Sequence, residues 1–102
     1  MRVFKVITTF PDEETAREIT KTLVKKKIIA CGNIIPSVES IYLWEGKLCE
    51  EKETMTFYKT HEGKMTELKN TLSELHPYDV PEIIAHEITE GSDDYLEWVR
   101  EI

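Results

Sequence analysis

Two long strand-like stretches, joined by Glu45-Gly46, constrain the fold of this chain more than any other feature. Residues 28–43 and residues 47–60 are rich in the β-branched and aromatic types that favour strands. Gly46 supplies the positive φ that a two-residue hairpin turn requires. Pro36 marks a bulge or an edge position, because proline cannot donate to a strand ladder. The sequence therefore predicts a long hairpin, whose arms are longer than a small sheet requires and whose edges favour pairing with another chain.

Strand and helix patterns on both sides of the hairpin complete the predicted fold. Residues 3–10 read as a central strand, and residues 13–27 as an amphipathic helix with Asp12 as its N-cap. A second helix is expected after Thr60, followed by a strand at 83–89 and a short helix after Ser92. The order β-α-β-β-α-β plus a C-terminal helix predicts an α+β, ferredoxin-like sandwich with its helices on one face of an antiparallel sheet. The second helix is expected to bury four apolar positions, Met65, Leu68, Leu72 and Leu75.

Length and charge bound the classes of function. With 102 residues the chain is predicted to form one domain, residues 1–102. Its 20 acidic and 13 basic residues give a net charge of −7, which argues against nucleic-acid binding. No apolar run approaches the ~20 residues that cross a bilayer, so no membrane partner is predicted. Two cysteines without CxxC spacing and no export signal favour a reduced, cytoplasmic protein.

The sequence contains no pattern typical of an enzyme. The histidines His61, His76 and His86 do not have metalloprotease spacing. A nucleophile position is not clearly matched by any of Ser37, Ser40, Cys31 and Cys49. Four glycines form no phosphate-binding loop. We therefore predict that the chain is not an enzyme.

Two residues are candidate metal ligands, because thiolate and imidazole suit copper and zinc. Cys31 lies among small residues, in Ala30-Cys31-Gly32-Asn33; the alternative is a buried thiol that acts as a small apolar side chain. His76 stands before the first proline of the segment 76–84, where two prolines predict a rigid, extended connection. Its alternative role is to bond a backbone carbonyl at the end of a helix.

Four aromatic residues are candidates for a pocket or for an interface with another subunit, because aromatic residues on a long hairpin often anchor interfaces. They are Tyr42, Trp44, Tyr58 and Tyr78.

Several short motifs occur together in one order along the chain. They are Thr8-Thr9-Phe10-Pro11, Ala30-Cys31-Gly32-Asn33, the segment 42–47, Lys59-Thr60, the segment 76–83 and the segment 95–98. This ordered set closely resembles the CutA family of divalent-cation-tolerance proteins across essentially the whole chain. The resemblance implies a ferredoxin-like subunit in a homotrimer, with hairpins pairing between neighbours. It also implies an architecture like that of the PII signalling proteins, whose ligands bind between subunits.

The resemblance also implies a metal function. Members of the family are linked to tolerance of copper and other divalent metals, and an assigned copper site draws on the histidine before Pro-Tyr, which is His76 here. Some members place a cysteine at the position of Thr8 and a second histidine at that of Leu75. In a trimer, Cys31 or Asp79 of another subunit are the further donors that we expect.

Three hypotheses follow from the residues and the resemblance together. The first is a cytoplasmic homotrimer that responds to divalent metal and binds copper or another cation weakly near His76. The second is a PII-like signalling or adaptor trimer, with a small ligand or a partner protein in a cleft lined by Tyr42, Trp44, Tyr78 and Asp79. The third is a purely structural scaffold.

Overall fold

The computed structural model describes all 102 residues as an α+β fold with one four-stranded sheet. A short 3-10 turn, Glu62–Lys64, precedes the second helix. The elements are β1 Val3–Phe10, α1 Glu13–Lys25, β2 Cys31–Trp44, β3 Lys47–His61, α2 Met65–Leu75, β4 Ile84–Ile88 and α3 Asp93–Arg100. The strand order β2-β3-β1-β4, with every neighbouring pair antiparallel, is that of a ferredoxin-like sandwich, as the sequence predicts.

The main core lies between the sheet and the helices α1 and α2. Val6 and Phe10 of β1 and Tyr58 of β3 pack against α1 and α2, and all three are completely buried. Asp12 caps α1 as predicted, since its carboxylate accepts a 2.7 Å hydrogen bond from the Thr15 amide. These contacts hold the central strands in place beneath the two helices.

The third helix lies on the opposite face of the sheet, which corrects the prediction that all helices share one face. Leu96 and Val99 of α3 pack against Val3 and Ile88. Val3 and Val6 are three residues apart on β1, so their side chains point to opposite faces. The short amphipathic pattern of α3 does not specify which face of the sheet the helix covers. The contacts with Val3 and Ile88 decide this.

The long hairpin is confirmed in its turn and in its bulge. Glu45 and Gly46 have φ of 51° and 78°, as a two-residue turn of this hand requires. The register between β2 and β3 shifts between Ile35 and Val38, around Pro36. With 14 residues in β2 and 15 in β3, the arms extend well beyond the five residues of β4.

The bounds of four elements differ from the sequence prediction, and one of them is β4, which spans Ile84–Ile88 and not residues 83–89. Helix α1 ends at Lys25 and not at residue 27, because Lys27 takes a left-handed φ of 58° that turns the chain towards the core. Strand β2 begins at Cys31, three residues later than predicted. Strand β3 continues through Thr60 to His61, and the His61 ring accepts a hydrogen bond from the Gly63 amide at the start of the following turn. The list of predicted core positions on α2 is wrong for Leu75, which is 43% exposed.

No helix in the chain has the length and apolar character that crossing a membrane would require.

Candidate functional site

A groove of about 750 Å³ opens between the long hairpin and the segment that follows α2. It brings together the four residues that the sequence assigns to a cleft: Tyr42, Trp44, Tyr78 and Asp79. The remaining lining residues are Thr9, Ser40, Ile41, Glu51, Glu53, Pro77, Val80 and Glu82.

The segment after α2 is shaped by its two prolines. His76 ends the helix with φ −69° and ψ 135°, the extended conformation expected of a residue before proline. The chain then takes no regular structure until β4 begins at Ile84. This segment carries Tyr78, Asp79 and Glu82 across the end of the sheet and forms one wall of the groove.

His76 anchors this wall to the sheet. Its side chain is 7% exposed and stacks on Phe10, with ring centroids 4.6 Å apart and planes 14° apart. Nε2 lies 2.8 Å from the Thr9 carbonyl oxygen, and Nδ1 lies 3.1 Å from the Tyr78 amide nitrogen. A carbonyl only accepts and an amide only donates, so the ring is the neutral tautomer with its proton on Nε2. Both ring nitrogens are thus bonded within the chain, and the carbonyl that His76 contacts belongs to β1 and not to the end of a helix, which was the alternative named from the sequence.

Burial lowers the pKa of His76, while its bond to Thr9 and the nearby Glu53 carboxylate act in the opposite direction. The neutral ring is therefore the form that this packing favours. A metal ion at His76 would have to displace one of the two hydrogen bonds.

Tyr78 joins the wall of the groove to the hairpin. Its hydroxyl donates a 2.7 Å hydrogen bond to Oε2 of Glu53, which is only 8% exposed. Burial and the Glu53 carboxylate both raise the pKa of Tyr78. The phenol therefore stays protonated and remains the donor to this carboxylate.

The ionised side chains that line the groove are all acidic. Its four carboxylates are those of Glu51, Glu53, Asp79 and Glu82, and no lysine, arginine or histidine lines it. The sequence analysis missed Glu51 and Glu53. Strand alternation is the signal that points to them, because they occupy alternate positions of β3 and so share one face of the strand.

The second predicted metal ligand lies elsewhere. The Cys31 thiol is 3.2 Å from the Tyr95 hydroxyl of α3, and Cys31 pairs with Lys59 across the sheet. Lys59 pairs in turn with Lys5 of β1, four residues before Thr9, which is about 13 Å along a strand. Within one chain the structure therefore does not bring Cys31 and His76 together. Burial, followed by the bond to Cys31, raises the pKa of Tyr95 to about 12.

Thr8 and Leu75, the positions where the resemblance implies further copper ligands in some relatives, hold no soft donor in this chain. The Thr8 hydroxyl is fully buried without a hydrogen-bond partner, and Leu75 is a hydrocarbon on the surface. A hydroxyl and an alkyl group do not fit copper, which prefers sulfur and imidazole donors. The chain by itself contains no group of three or more histidine, cysteine, aspartate or glutamate side chains placed to hold a metal ion.

Tyr58 is the one predicted pocket aromatic that lies outside the groove. It is completely buried in the main core, and its hydroxyl is 2.8 Å from that of Thr20. Strand alternation explains the difference, since Tyr58 points to the face that α1 and α2 cover.

Comparison with known proteins gives one consistent result. A protein from Pyrococcus horikoshii named divalent-cation tolerance protein CutA is 47% identical over 96 residues, which is 94% of this chain and 93% of that protein. A solved structure of the divalent cation tolerance protein from Thermus thermophilus superposes with a TM-score of 0.94 at 44% identity, covering 97% of this chain and 96% of the other. A periplasmic divalent cation tolerance protein CutA from Archaeoglobus fulgidus superposes with a TM-score of 0.90 at 35% identity, covering 97% and 95%.

The family named CutA1 divalent ion tolerance protein matches residues 4–102, which is nearly the whole chain. The family is named for tolerance of cations and not for a reaction. The ordered motifs of the sequence, the ferredoxin-like topology and these matches agree, and the chain belongs to the CutA1 family of divalent ion tolerance proteins.

Proposed function

We propose that this protein acts as a homotrimer in tolerance of, or response to, divalent cations, with copper among them, and that it binds the cation weakly beside His76. The observation that carries the proposal is the acidic groove of about 750 Å³ next to this residue. Its carboxylate oxygens attract divalent cations in general. A copper ion would need a softer donor in addition, which we assign to His76 after release of one hydrogen bond, or to Cys31 of a neighbouring subunit.

The trimer is supported by apolar surface that a single chain leaves uncovered. On the sheet face that carries α3, Ile35 and Ile84 are 36% and 46% exposed, and Phe57 is only half-buried. At the tip of the hairpin, Leu43 and Leu48 form a cross-strand pair that is 71% and 66% exposed. Closed symmetry covers such faces and edges, and a PII-like arrangement would place the groove between subunits.

Metal titration of the purified protein tests this function. We expect saturable binding of Cu²⁺ and of Mg²⁺ by calorimetry, with a dissociation constant of about 1 mM or tighter. The variant His76→Ala should weaken Cu²⁺ binding, while His86→Ala, on an exposed residue of β4, should leave it unchanged. No saturable binding in this range would exclude the metal function. Unchanged Cu²⁺ binding in His76→Ala would contradict the assignment of His76 as a donor, whereas lower stability of this variant in a protein without saturable metal binding would favour the scaffold hypothesis.

A PII-like signalling or adaptor function is the second candidate, and the size of the groove favours it. Pockets for small organic ligands typically enclose about 300–1,000 Å³ and are lined by aromatic side chains, and this groove has three, Tyr42, Trp44 and Tyr78. Native mass spectrometry of protein purified without added metal tests it. A bound organic ligand that the variant Trp44→Leu no longer retains would support this function over metal response.

We propose the cytoplasm as the location, supported by two cysteines that are both free and that lie at opposite ends of the hairpin. Alkylation of both thiols in freshly lysed cells, without added reductant, is the expected result. A blocked thiol at Cys31 or Cys49 would contradict it.

A further inference from the structure

We propose that the hairpin tip of one subunit lies on the uncovered sheet face of its neighbour, with the Glu50 carboxylate between the ammonium groups of Lys5 and Lys59 in that neighbour. The inference rests on the proposed homotrimer and goes beyond it, because it assigns the two surfaces that meet and the ion pairs that fix their register. Pairing of hairpin edges involves backbone groups, whereas this contact involves the side chains of two sheet faces.

The receiving surface has an apolar row beside a basic pair. Phe57 of β3 and Ile84 of β4 flank Ile7 of β1, and the three residues form the apolar row. Two residues along the strands, about 7 Å away, Lys5 of β1 pairs with Lys59 of β3. Residues two apart on a strand share a face, so the basic pair lies on the same side of the sheet as the apolar row.

Lys5 and Lys59 place two positive charges directly opposite each other, which is unfavourable in a cross-strand pair. The Lys59 ammonium donates to the side-chain oxygen of Asn33, and the Lys5 ammonium lies 4.9 Å from the centre of the Phe57 ring. All three ion pairs of the chain are made by arginines. Neither lysine therefore meets a carboxylate of its own chain, and a subunit that covers this face can supply one.

The hairpin tip carries the complementary pattern. Leu43 and Leu48 form the last cross-strand pair but one, and Ile41 and Glu50 form a pair two residues back on the same face. The three apolar side chains are 71%, 66% and 57% exposed in the order Leu43, Leu48, Ile41, and Glu50 is exposed as well. The tip thus presents an apolar end followed by a negative charge.

The spacing on the two surfaces is the same. Leu48 and Glu50 are two residues apart on β3, and Ile7 and Lys5 are two residues apart on β1. On each surface the charged residue therefore lies about 7 Å from the apolar one. When Leu48 packs on the apolar row, Glu50 comes within reach of the basic pair.

The tip does not reach the sheet face of its own chain. Leu48 and Phe57 are nine residues apart on the continuous strand β3, which is about 30 Å. Strand β1 pairs with β3 only as far as Thr54, so the tip extends past the end of the sheet. The occupant of the uncovered face is therefore the tip of a second copy, and closed symmetry gives every subunit one donor tip and one receiving face.

Chemical cross-linking tests the contact directly. In a protein without its native thiols, Cys31→Ser and Cys49→Ser, the changes Lys5→Cys and Glu50→Cys place one thiol on each surface. A short bismaleimide should join these thiols between chains and give covalent dimers and trimers on a denaturing gel. The matched control combines Lys5→Cys with Glu74→Cys, on the exposed side of α2, and should run as single chains.

Charge reversal tests the ion pairs. Glu50→Lys brings a third positive charge to Lys5 and Lys59, so subunits should exchange between differently labelled trimers at least about tenfold faster. Addition of Lys5→Glu to Glu50→Lys should bring the exchange rate back towards that of the unchanged protein. The control Glu74→Lys makes the same change of charge on α2 and should leave the exchange rate unchanged.

Equal cross-linking of the two cysteine pairs, or equal exchange rates for Glu50→Lys and Glu74→Lys, would overturn the contact and leave the trimer in place. If Glu50→Lys forms no trimers, recovery of the trimer mass on addition of Lys5→Glu supports the contact, and failure to recover it overturns the ion pairs. A single-chain mass for the unchanged protein would instead exclude the trimer itself, so the two proposals fail in different measurements.

Discussion

At the scale of single residues, the two hydrogen bonds of the His76 ring hold one wall of the groove in place. Its two ring nitrogens tie the end of α2 to Thr9 of β1 and to Tyr78 of the next segment. The position of His76 before proline was enough to predict its extended conformation. Its two bonding partners were not predictable, because Thr9 is 67 residues away along the chain.

The neutral, buried His76 makes the stability of the fold depend on pH. Burial lowers its pKa below the ordinary value of 6.5, so the unfolded chain binds this proton more readily than the folded chain. The stability that the buried neutral ring contributes is fully present above pH 6.5 and is lost as the pH falls below this value. The nearby Glu53 carboxylate makes the loss smaller, because it favours the protonated ring. Denaturant unfolding at about pH 7.5 and about pH 5.5 should show a smaller drop in the free energy of unfolding for His76→Gln than for the unchanged protein. The exposed control His86→Gln should retain the full drop, and equal drops in all three proteins would contradict the role of His76.

The bond between Tyr78 and Glu53 should contribute measurably to stability. Tyr78→Phe removes the hydrogen bond to Glu53, a carboxylate that is 8% exposed, and it should lower the free energy of unfolding by about 1–3 kcal/mol. Tyr42→Phe is the matched control on the other wall, because Tyr42 is 39% exposed and should lose less than about 0.5 kcal/mol. Urea unfolding measures both, and equal losses would show that the Tyr78 bond does not stabilise the fold.

At the scale of elements, the hairpin was the most predictable part of the chain, and the helix ends were the least. Glu45-Gly46 and Pro36 encode the turn and the bulge locally, so their positions follow from the residues themselves. The end of α1 depends instead on where Ile28 and Ile29 enter the core, and those contacts are with distant parts of the chain.

Opposite effects are expected from two substitutions in the hairpin turn. Gly46→Ala should lower the free energy of unfolding by about 1 kcal/mol, because alanine is strained at the φ of 78° that Gly46 adopts. No atom lies within 4 Å of the added methyl group, so backbone strain is the whole effect. Glu45→Asn should raise it by a few tenths of a kcal/mol, since asparagine tolerates the φ of 51° better than glutamate. Thermal unfolding measures both signs. A stabilised Gly46→Ala would mean that the turn in solution has another conformation.

At the scale of the whole molecule, the uncovered sheet face is the feature that a single chain does not explain. Ile7 of β1, Phe57 of β3 and Ile84 of β4 form one cross-strand row on this face, beyond the part that α3 covers. Exposed apolar surface of this kind usually marks an interface. The elongated shape, 44 × 26 × 22 Å, reflects the hairpin that extends past the core.

Light scattering at micromolar concentration should give about three times the mass of the chain if the protein is the proposed trimer. Ile84→Lys places a charge on the uncovered face and should shift the mass towards that of one chain. Val24→Lys makes the same chemical change on α1 at similar exposure, 40% against 46%, and should leave the mass unchanged. A single-chain mass for the unchanged protein would exclude the trimer.

The residues by themselves determined the type and order of the elements, the hairpin turn, the bulge and the family, because turn chemistry, strand alternation and motif order are local properties of the chain. They also indicated Tyr42, Trp44, Tyr78 and Asp79 as one set, which the groove brings together. The tertiary structure alone decided that α3 covers the second face and that Glu51 and Glu53 complete the groove. It also separated Cys31 from His76 within the chain. These outcomes depend on which strands are neighbours and on how distant side chains pack, and no short stretch of sequence encodes either.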